Sequence, residues 1–504
     1  MGRLGLFAIL AATLPLNACI SLAPLAEQPK IAENIPERYS ATDIDGTYRP
    51  ANWWVQFSDP VLDSLVNDAL RNNLDIAEAA ARVEQASAEA RIARSALFPA
   101  LSATASTSYS DSPLAGSAFG GFGGQTIDRI ANETYSVSLG AAYELDLFGR
   151  VRGDLAAARN DAIAAEYDFR SVQLAAAAET ISTYFDIVDT RTQIALTVKT
   201  AELLSDRAER TNDRYLRGLA DSFELYQVRQ DLRNAQASLP SLEAALTSAN
   251  GRIATLVGMY PAPLKRRLDT SLTPQLVFEP VPAGLPADLL SQRPDVAAAW
   301  ARLEAARQRI GARRAERFPS LQLTASLGSQ AGEPVSVFDI ADTWLLSLGS
   351  SLVAPLFDAG RITANIRAAR ARYDQQAAAY ARAVLTAYRE VDVAIDAYEE
   401  RRQRYGLIAR QLAEAEASLD VQANRFAAGV GSYTAYLDAL RAVYQVESGL
   451  SGAARDVAIS RLGVHRALGG DWTAEIGDTS FAPPETMPAQ TATDISAAAE
   501  GNMR

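Results

Sequence analysis

The 504-residue sequence contains one cysteine, one histidine and four methionines. A disulfide within the chain is therefore excluded, and a Cys/His metal site lacks its ligands. His465 has no second histidine with which to build a metal cluster or a histidine-based triad. It falls in the last turn of the last predicted helix, where a cation is favoured, so its expected role is structural. The glycines of GGFGG (120–124) are followed by no lysine and no strand-to-helix context, so they make no phosphate loop. Acid pairs such as Glu399-Glu400 lie on a long helix and read as a solvated face. A net charge of −12 argues against a nucleic-acid partner, which needs clustered Lys and Arg. No internal run reaches the ~18 apolar residues of a spanning helix. The sequence thus offers neither an enzyme's constellation nor a cofactor site.

What is present begins at the N-terminus. Arg3 and the apolar stretch Leu4 to Leu14 form a signal-like segment, followed by Leu16-Asn17-Ala18-Cys19. The one cysteine closes the one targeting segment, so residues 1–18 are the expected lipoprotein signal peptide and Cys19 the lipidation site. Ile20 follows, not the Asp read as an inner-membrane retention signal, and this points to the outer membrane.

The chain is also duplicated. RYLRGLADS (214–222) returns as RFAAGVGSY (425–433), and the same shift of 211 residues carries Arg150 to Arg361, Glu179 to Glu390 and Gly258 to Gly469. Upstream the shift is 220: Asp75, Arg82, Glu84, Phe98 and Pro99 return as Asp295, Arg302, Glu304, Phe318 and Pro319. The difference is absorbed between 105 and 150, where the Gly-rich stretch 115–125 reads as an exposed loop. The expected segments are 19–60 as an N-terminal piece, 61–258 as the first repeat, 259–286 as a Pro-rich crossover, 287–470 as the second repeat and 471–504 as a disordered tail. Repeats this long are not solenoid units.

Within each repeat the helical signal dominates. Residues 150–217 contain no proline and only Gly153; residues 361–428 contain neither apart from Gly406. A helix of that length spans ~100 Å at ~1.5 Å per residue. Val384, Val391, Tyr398, Tyr405, Leu412, Leu419 and Phe426 recur every seventh residue, which predicts left-handed coiled packing. Gly218 and Gly429 stand where a helix C-cap glycine belongs, and helix-forming sequence resumes at about 222 and 433. These turns are the tips of two long helical hairpins. Residues 60–97 and 286–316 supply one further helix per half, stopped by Phe98-Pro99 and Phe318-Pro319.

After each Phe-Pro the period changes to two. Leu101 to Tyr109, Tyr135 to Leu145, Leu321 to Leu327 and Trp344 to Ala354 alternate apolar with small or polar residues. Segments of ~9–11 residues with this alternation are the pattern of a membrane β-barrel. Four strands cannot close a barrel, and open edges are not tolerated in lipid. The chain is therefore expected to oligomerise: two copies give eight strands with a filled interior, three give twelve with room for a pore.

The residues Trp53-Trp54-Val-Gln-Phe57-Ser-Asp59-Pro60, ELDLFGRVR (144–152), LLSQRPDV (289–296), APLFDAGR (354–361) and the two tip turns together resemble the TolC-like outer-membrane efflux family, in its NodT-type lipoprotein branch. The likeness covers nearly all of 19–470. It implies a mainly α chain that contributes four β-strands and long coiled helical hairpins to a homotrimer, with a 12-stranded β-barrel in the outer membrane and an α-barrel in the periplasm. It implies a periplasmic adaptor (membrane fusion) protein and an inner-membrane RND-type transporter as partners, outer-membrane lipid as the medium, and no nucleic acid. The implied function is the passive exit duct of a tripartite efflux pump for drugs or other small molecules. A duct for protein secretion or metal efflux is the alternative; a coiled-coil lipoprotein without a pore is the other class, and the duplicated strand pairs argue against it.

The family often carries two aspartates one turn apart after the second tip. Here only Asp438 is retained, and Ala435 occupies the first position. With Thr434 and Ala435 one turn before it, and Glu224 in the first repeat, Asp438 is the expected periplasmic gate. Gly218, Leu219, Gly429 and Val430 are the expected adaptor-contact residues.

Overall fold

The computed structural model describes residues 22–25, 36, 53–113, 129–268, 276–279, 281 and 293–470. Cys19, the signal segment, the 115–125 stretch and the 471–504 tail lie outside the described residues. After a 3-10 turn at Trp53–Phe57, the elements run α1 (Pro60–Asn72), α2 (Leu74–Ser95), β1 (Ala100–Pro113), β2 (Arg129–Leu145), α3 (Arg150–Leu216), α4 (Ser222–Leu256), α5 (Pro261–Leu268), α6 (Pro294–Ala315), β3 (Ser320–Ala331), β4 (Trp344–Val353), α7 (Arg361–Ala427) and α8 (Tyr433–Ala467). Helices α3 and α7 have 67 residues each, and α4 and α8 have 35 each. None of the described helices is long and apolar enough to cross a membrane.

The sheet records the duplication in its register. β1 pairs antiparallel with β2, β2 with β3 and β3 with β4, so the strand order is the chain order. Ala105 stands opposite Val137, and Ala325 stands opposite Leu348. These are the same pair carried by the two shifts of 220 and 211. One face carries Leu101, Leu139, Tyr143, Leu323, Leu346 and Leu348; the other carries mostly Ser, Thr, Gly and Gln, with Leu345 and Val353 of β4 as apolar exceptions and a Ser106–Ser136 hydroxyl pair at 2.8 Å. β1 and β2 outrun the apolar alternation, to Pro113 and from Arg129. The ladder is held by backbone pairing, which continues where Asp111, Asn132 and Glu133 end the apolar band.

Two compact units can be drawn, and each takes residues from both repeats. The first comprises the strands with α2, α6 and the adjoining parts of α3 and α7. In it, α6 is tied to α3 by three ion pairs whose aspartates fall seven residues apart on α3: Arg302–Asp168, Arg309–Asp161 and Arg313–Asp154, the last at 2.7 Å. Trp300 of α6 packs on Tyr380 of α7 with ring centres 5.3 Å apart. Arg82 of α2 lies within electrostatic reach of Asp168 on α3. Phe148 stacks on Phe318 at 4.6 Å, and Arg150 grips Glu144 with two hydrogen bonds of 3.1 and 2.6 Å. The ELDLFGRVR segment is thus the strand-to-helix junction.

The second unit has its apolar core around Trp54, Phe57, Leu62, Tyr184, Ile253 and Leu462. Asp59 caps α1 by accepting from Val61 N at 2.8 Å and also accepts from the Tyr184 hydroxyl. This accounts for the Trp53–Pro60 motif as a structural plug. The single helix expected over 60–97 is divided. Asn73 adopts extended backbone and its amide donates to Leu256 O at 3.0 Å. Arg293, 220 residues on, donates to Ala467 O at 2.8 Å, and Ala467 is Leu256 carried by 211. The crossover also contains a helix the proline count concealed. Pro261 opens α5 at the first helical position, where its missing N–H costs nothing, and Leu264 and Leu268 are buried.

Candidate functional site at the two helical tips

Both tips are built by the same backbone device. α3 ends with Gly218 at φ +72°, and α7 with Gly429 at φ +73°. Leu219 N bonds to Arg214 O at 2.8 Å and Val430 N to Arg425 O at 3.0 Å, the six-to-one closure of a Schellman turn. Only glycine takes this left-handed conformation without cost. A Cβ at either glycine would meet nothing within 4 Å, so the tips are open. Leu219 is 65% exposed and Val430 72%. The returning helices are capped at equivalent positions: Asp221 accepts from Glu224 N at 2.8 Å, and Ser432 from Ala435 N at 3.1 Å.

The expected gate residues divide here. Glu224 sits in the first turn of α4 and pairs with Arg214 at 3.5 Å, across its own tip. Thr434 and Ala435 are half-buried in the first turn of α8. Asp438, 57% exposed, forms an ion pair of 2.7 Å with Arg207 of α3, which is only 16% exposed. So Asp438 and Glu224 are not brought together; each is held by an arginine of the first repeat.

Beside the Arg207–Asp438 pair stands a second link. Tyr433, the first residue of α8, donates its hydroxyl to Asp206 of α3. Asp206 also accepts from Arg210 Nε at 3.0 Å. The tyrosine hydroxyl first, and then the guanidinium, hold the Asp206 carboxyl below the usual carboxylate range. Burial and the neighbouring carboxylate push the Tyr433 hydroxyl up. Arg210 lies over the Tyr433 ring at 4.6 Å, and Tyr433 joins Phe426 and Tyr436 in an aromatic cluster with centres 5.3 to 6.2 Å apart.

Sequence reasoning missed Asp206, Arg207, Arg210 and Tyr433. The repeat itself carried a usable signal. The shift of 211 turns Asp206, Arg207 and Arg210 into Ala417, Ser418 and Val421, so charge stands in one copy where the other has small or apolar residues. The tips are alike in backbone and unlike in the side chains that fasten them. Among the described residues no group of three or more His, Cys, Asp or Glu is placed to hold a metal ion. The chemistry available at the tips is that of a latch: reversible ion pairs and hydrogen bonds between two helix ends.

A sequence model of the family described as "Outer membrane efflux protein" matches residues 65–259 and 285–470. The pyoverdine export outer membrane protein OpmQ of Pseudomonas aeruginosa is 31% identical over 478 residues, covering 93% of this chain and 97% of its own. The toluene efflux pump outer membrane protein TtgC of Pseudomonas putida is 31% identical over 477 residues, covering 92% and 95%. Among solved structures, the outer-membrane channel OprN superposes with a TM-score of 0.79 at 29% identity, covering 89% of this chain and 99% of that one.

Proposed function

The chain belongs to the outer membrane efflux protein family, and from that premise we propose that three copies form the exit duct of a tripartite pump. It is an outer-membrane efflux channel of a Gram-negative bacterium, and its family works as a transport duct within multi-component pumps. The observation that carries the finer reading is the sheet: one apolar face, one mostly polar face and two outer strands paired on one side only. Such a sheet is stable in lipid only when its edges meet other strands. Three copies supply twelve strands and an interior wide enough for solute.

The tips are the periplasmic end of the duct. Arg207–Asp438 and Asp206–Tyr433 fasten α8 to α3 and keep the resting tip closed; Glu224, Thr434 and Ala435 complete the constriction. Gly218, Leu219, Gly429 and Val430 receive a periplasmic adaptor protein, which links the duct to an inner-membrane RND-type transporter. Cys19 carries the lipid that anchors the N-terminus. The substrates are small molecules, a class to which the pyoverdine and toluene of the similar proteins' names belong. Drug susceptibility of a deletion strain tests this, repeated in a strain that also lacks the partner transporter. Increased susceptibility in the first, with no further increase in the second, supports the duct; unchanged susceptibility in the first overturns it.

A further inference from the structure

The two repeats bring unlike chemistry to one groove. Within the first unit, α3, α6 and α7 border a groove of about 540 Å³, a size within the ~300–1,000 Å³ of small-molecule sites. Its floor is made of small residues: Ala306 of α6 and Ala369 of α7 are buried, and larger side chains there would fill it. The α3 wall is acidic, but its acids are already answered. Asp161 pairs with Arg309 of α6, and Asp154 with Arg313. The α7 wall is the copy of that wall at a shift of 211, and its acids are gone. Asp154 becomes Asn365, Asp161 becomes Arg372, and Ala164 and Ala165 become Gln375 and Gln376. All four of these α7 residues line the groove. Asn365 donates to Glu316 at 3.2 Å. The side chains of Arg372, Gln375 and Gln376 have no partner among the described residues, and Arg372 is exposed. In a chain of net charge −12, this wall offers a guanidinium and two amides without a carboxylate to meet them.

The other face of α6 shows which way the groove opens. Ala23 lies against Gly311, where an added Cβ would meet Ala23 N at 2.7 Å. Arg314 donates to Leu22 O at 3.1 Å, and Arg307 donates to Pro24 O. Ala23 follows Cys19 by four residues, which reach at most ~14 Å of extended chain. A lipid on Cys19 lies outside a duct, so the face of α6 that carries Gly311 is the outer one. Gly311 stands two residues from both Arg309 and Arg313, a rotation of ~200° at 3.6 residues per turn. Those two arginines, and the groove they line, therefore face the interior.

We propose that this groove is a binding site inside the duct for an organic anion, a ring-sized body bearing several carboxylate- or sulfonate-type oxygens. Arg372 takes one oxyanion group in a two-pronged contact, and the amides of Gln375 and Gln376 donate to further oxygens. Arg309 is shared with the ligand. Its pair with Asp161 joins side chains 44% and 37% exposed, and exposed pairs are weak enough to be exchanged. A cationic solute finds here only carboxylates that α6 already neutralises. The site is expected to bind weakly, since a solute held in a conduit must also leave it.

This inference rests on the reading of the chain as a lipid-anchored duct and adds to it a class of solute. The test uses the full chain extracted from outer membranes, with the fluorescent trisulfonate pyranine as probe and uncharged maltotriose as control. Binding is measured by equilibrium dialysis, and block of current by single-channel recording of the same preparation. Arg372→Gln, which disturbs no ion pair within the chain, is expected to weaken pyranine binding and block by roughly three- to tenfold. Asp161→Asn frees Arg309 and is expected to tighten both by roughly two- to fivefold. Opposite shifts from the two variants are the signature of a charge-selective site, which a purely structural role would not produce. Conducting channels whose pyranine binding is unchanged in both variants overturn the groove and leave the duct standing. Binding with the expected shifts in a protein that carries no current overturns the duct and leaves the groove. Binding without block in conducting channels overturns the inward placement, and equal binding of maltotriose overturns the anion class.

Discussion

Arg207 Nη1 and Asp438 Oδ1 lie 2.7 Å apart, joining α3 of the first repeat to α8 of the second across 231 residues of sequence. The arginine is the more buried of the two, so removing its partner leaves a poorly solvated cation. Exposed ion pairs contribute about 0.2–1 kcal/mol, and burial of one member moves the value toward the upper end. Arg207→Ala and Asp438→Asn should therefore each raise the resting open fraction up to about fivefold in single-channel recordings. Asp438→Asn should also weaken cation preference and block by polyvalent cations, which Arg207→Ala should not. Identical traces from all three proteins would remove Asp438 from the conduction path.

The neighbouring link responds to acid in a defined window. Asp206 has its folded pKa held below the unfolded carboxylate value, so its contribution is fully present above about pH 4 and is lost only as pH falls through the lower folded pKa. Resting conductance should therefore be flat from pH 8 to about 5 and rise below about 4. Tyr433→Phe removes the hydroxyl that holds Asp206 down but keeps the ring under Arg210. It should raise resting conductance across the whole range and shift the acid response toward neutral pH.

The outward groups of the tips are predicted to act through a partner. Gly218→Arg and Gly429→Arg should reduce efflux without reducing oligomer in the membrane. Because both glycines have positive φ, each substitution also carries about 1 kcal/mol of backbone cost. Leu219→Ser and Val430→Ser keep the turn and remove only the apolar contact. Raised drug susceptibility in these two variants at normal oligomer levels identifies a docking contact; normal susceptibility in both assigns the glycines' effect to the turn alone.

At the other end of the chain, Cys19→Ser should abolish lipid attachment, read by mass spectrometry of the mature N-terminus, and leave the strands inserted. Mature wild-type protein that begins upstream of Cys19 or carries no lipid would exclude the anchor.

Much of this architecture is legible because the repeat is written in positions that geometry constrains. Gly149 and Gly360, Gly218 and Gly429, and Gly258 and Gly469 all have positive φ, and each pair is 211 residues apart. A left-handed turn admits few alternatives to glycine, so these positions announce themselves. The strands declare one apolar face because lipid accepts nothing else there. The break at Asn73 was not legible, because its cause is the carbonyl of Leu256 at the far end of the repeat. The heptad series was legible, and its burial is uneven: Val384, Val391 and Tyr398 are buried, while Phe426 near the tip is exposed. The tip latch stayed hidden because charges on a long helix read alike whether they meet water or another helix.

His465 is the clearest instance of a local rule overruled by packing. Its place in the last turn of α8 favours a cation. The structure buries it, with Arg461 one turn away, and burial first and that positive charge second push its imidazole down to about 3. It is therefore neutral in the folded protein throughout the physiological range. The sign of the pH effect follows from this depression. In the unfolded chain the histidine takes a proton below about pH 6.5, and the folded chain refuses it. Stability is thus highest above about 6.5 and declines as pH falls toward 3, with a limiting slope of about 1.4 kcal/mol per pH unit from this one group. His465→Leu removes the titration and should flatten the decline between pH 6.5 and 4.5 in denaturant unfolding. His465→Lys should destabilise at every pH in that range, since it forces a charge into the same site beside Arg461. As the chain has a single histidine, its imidazole proton signal in a spectrum of the folded protein is unambiguous. A titration midpoint near 6.5 would show that His465 is solvated and that the predicted slope has another source.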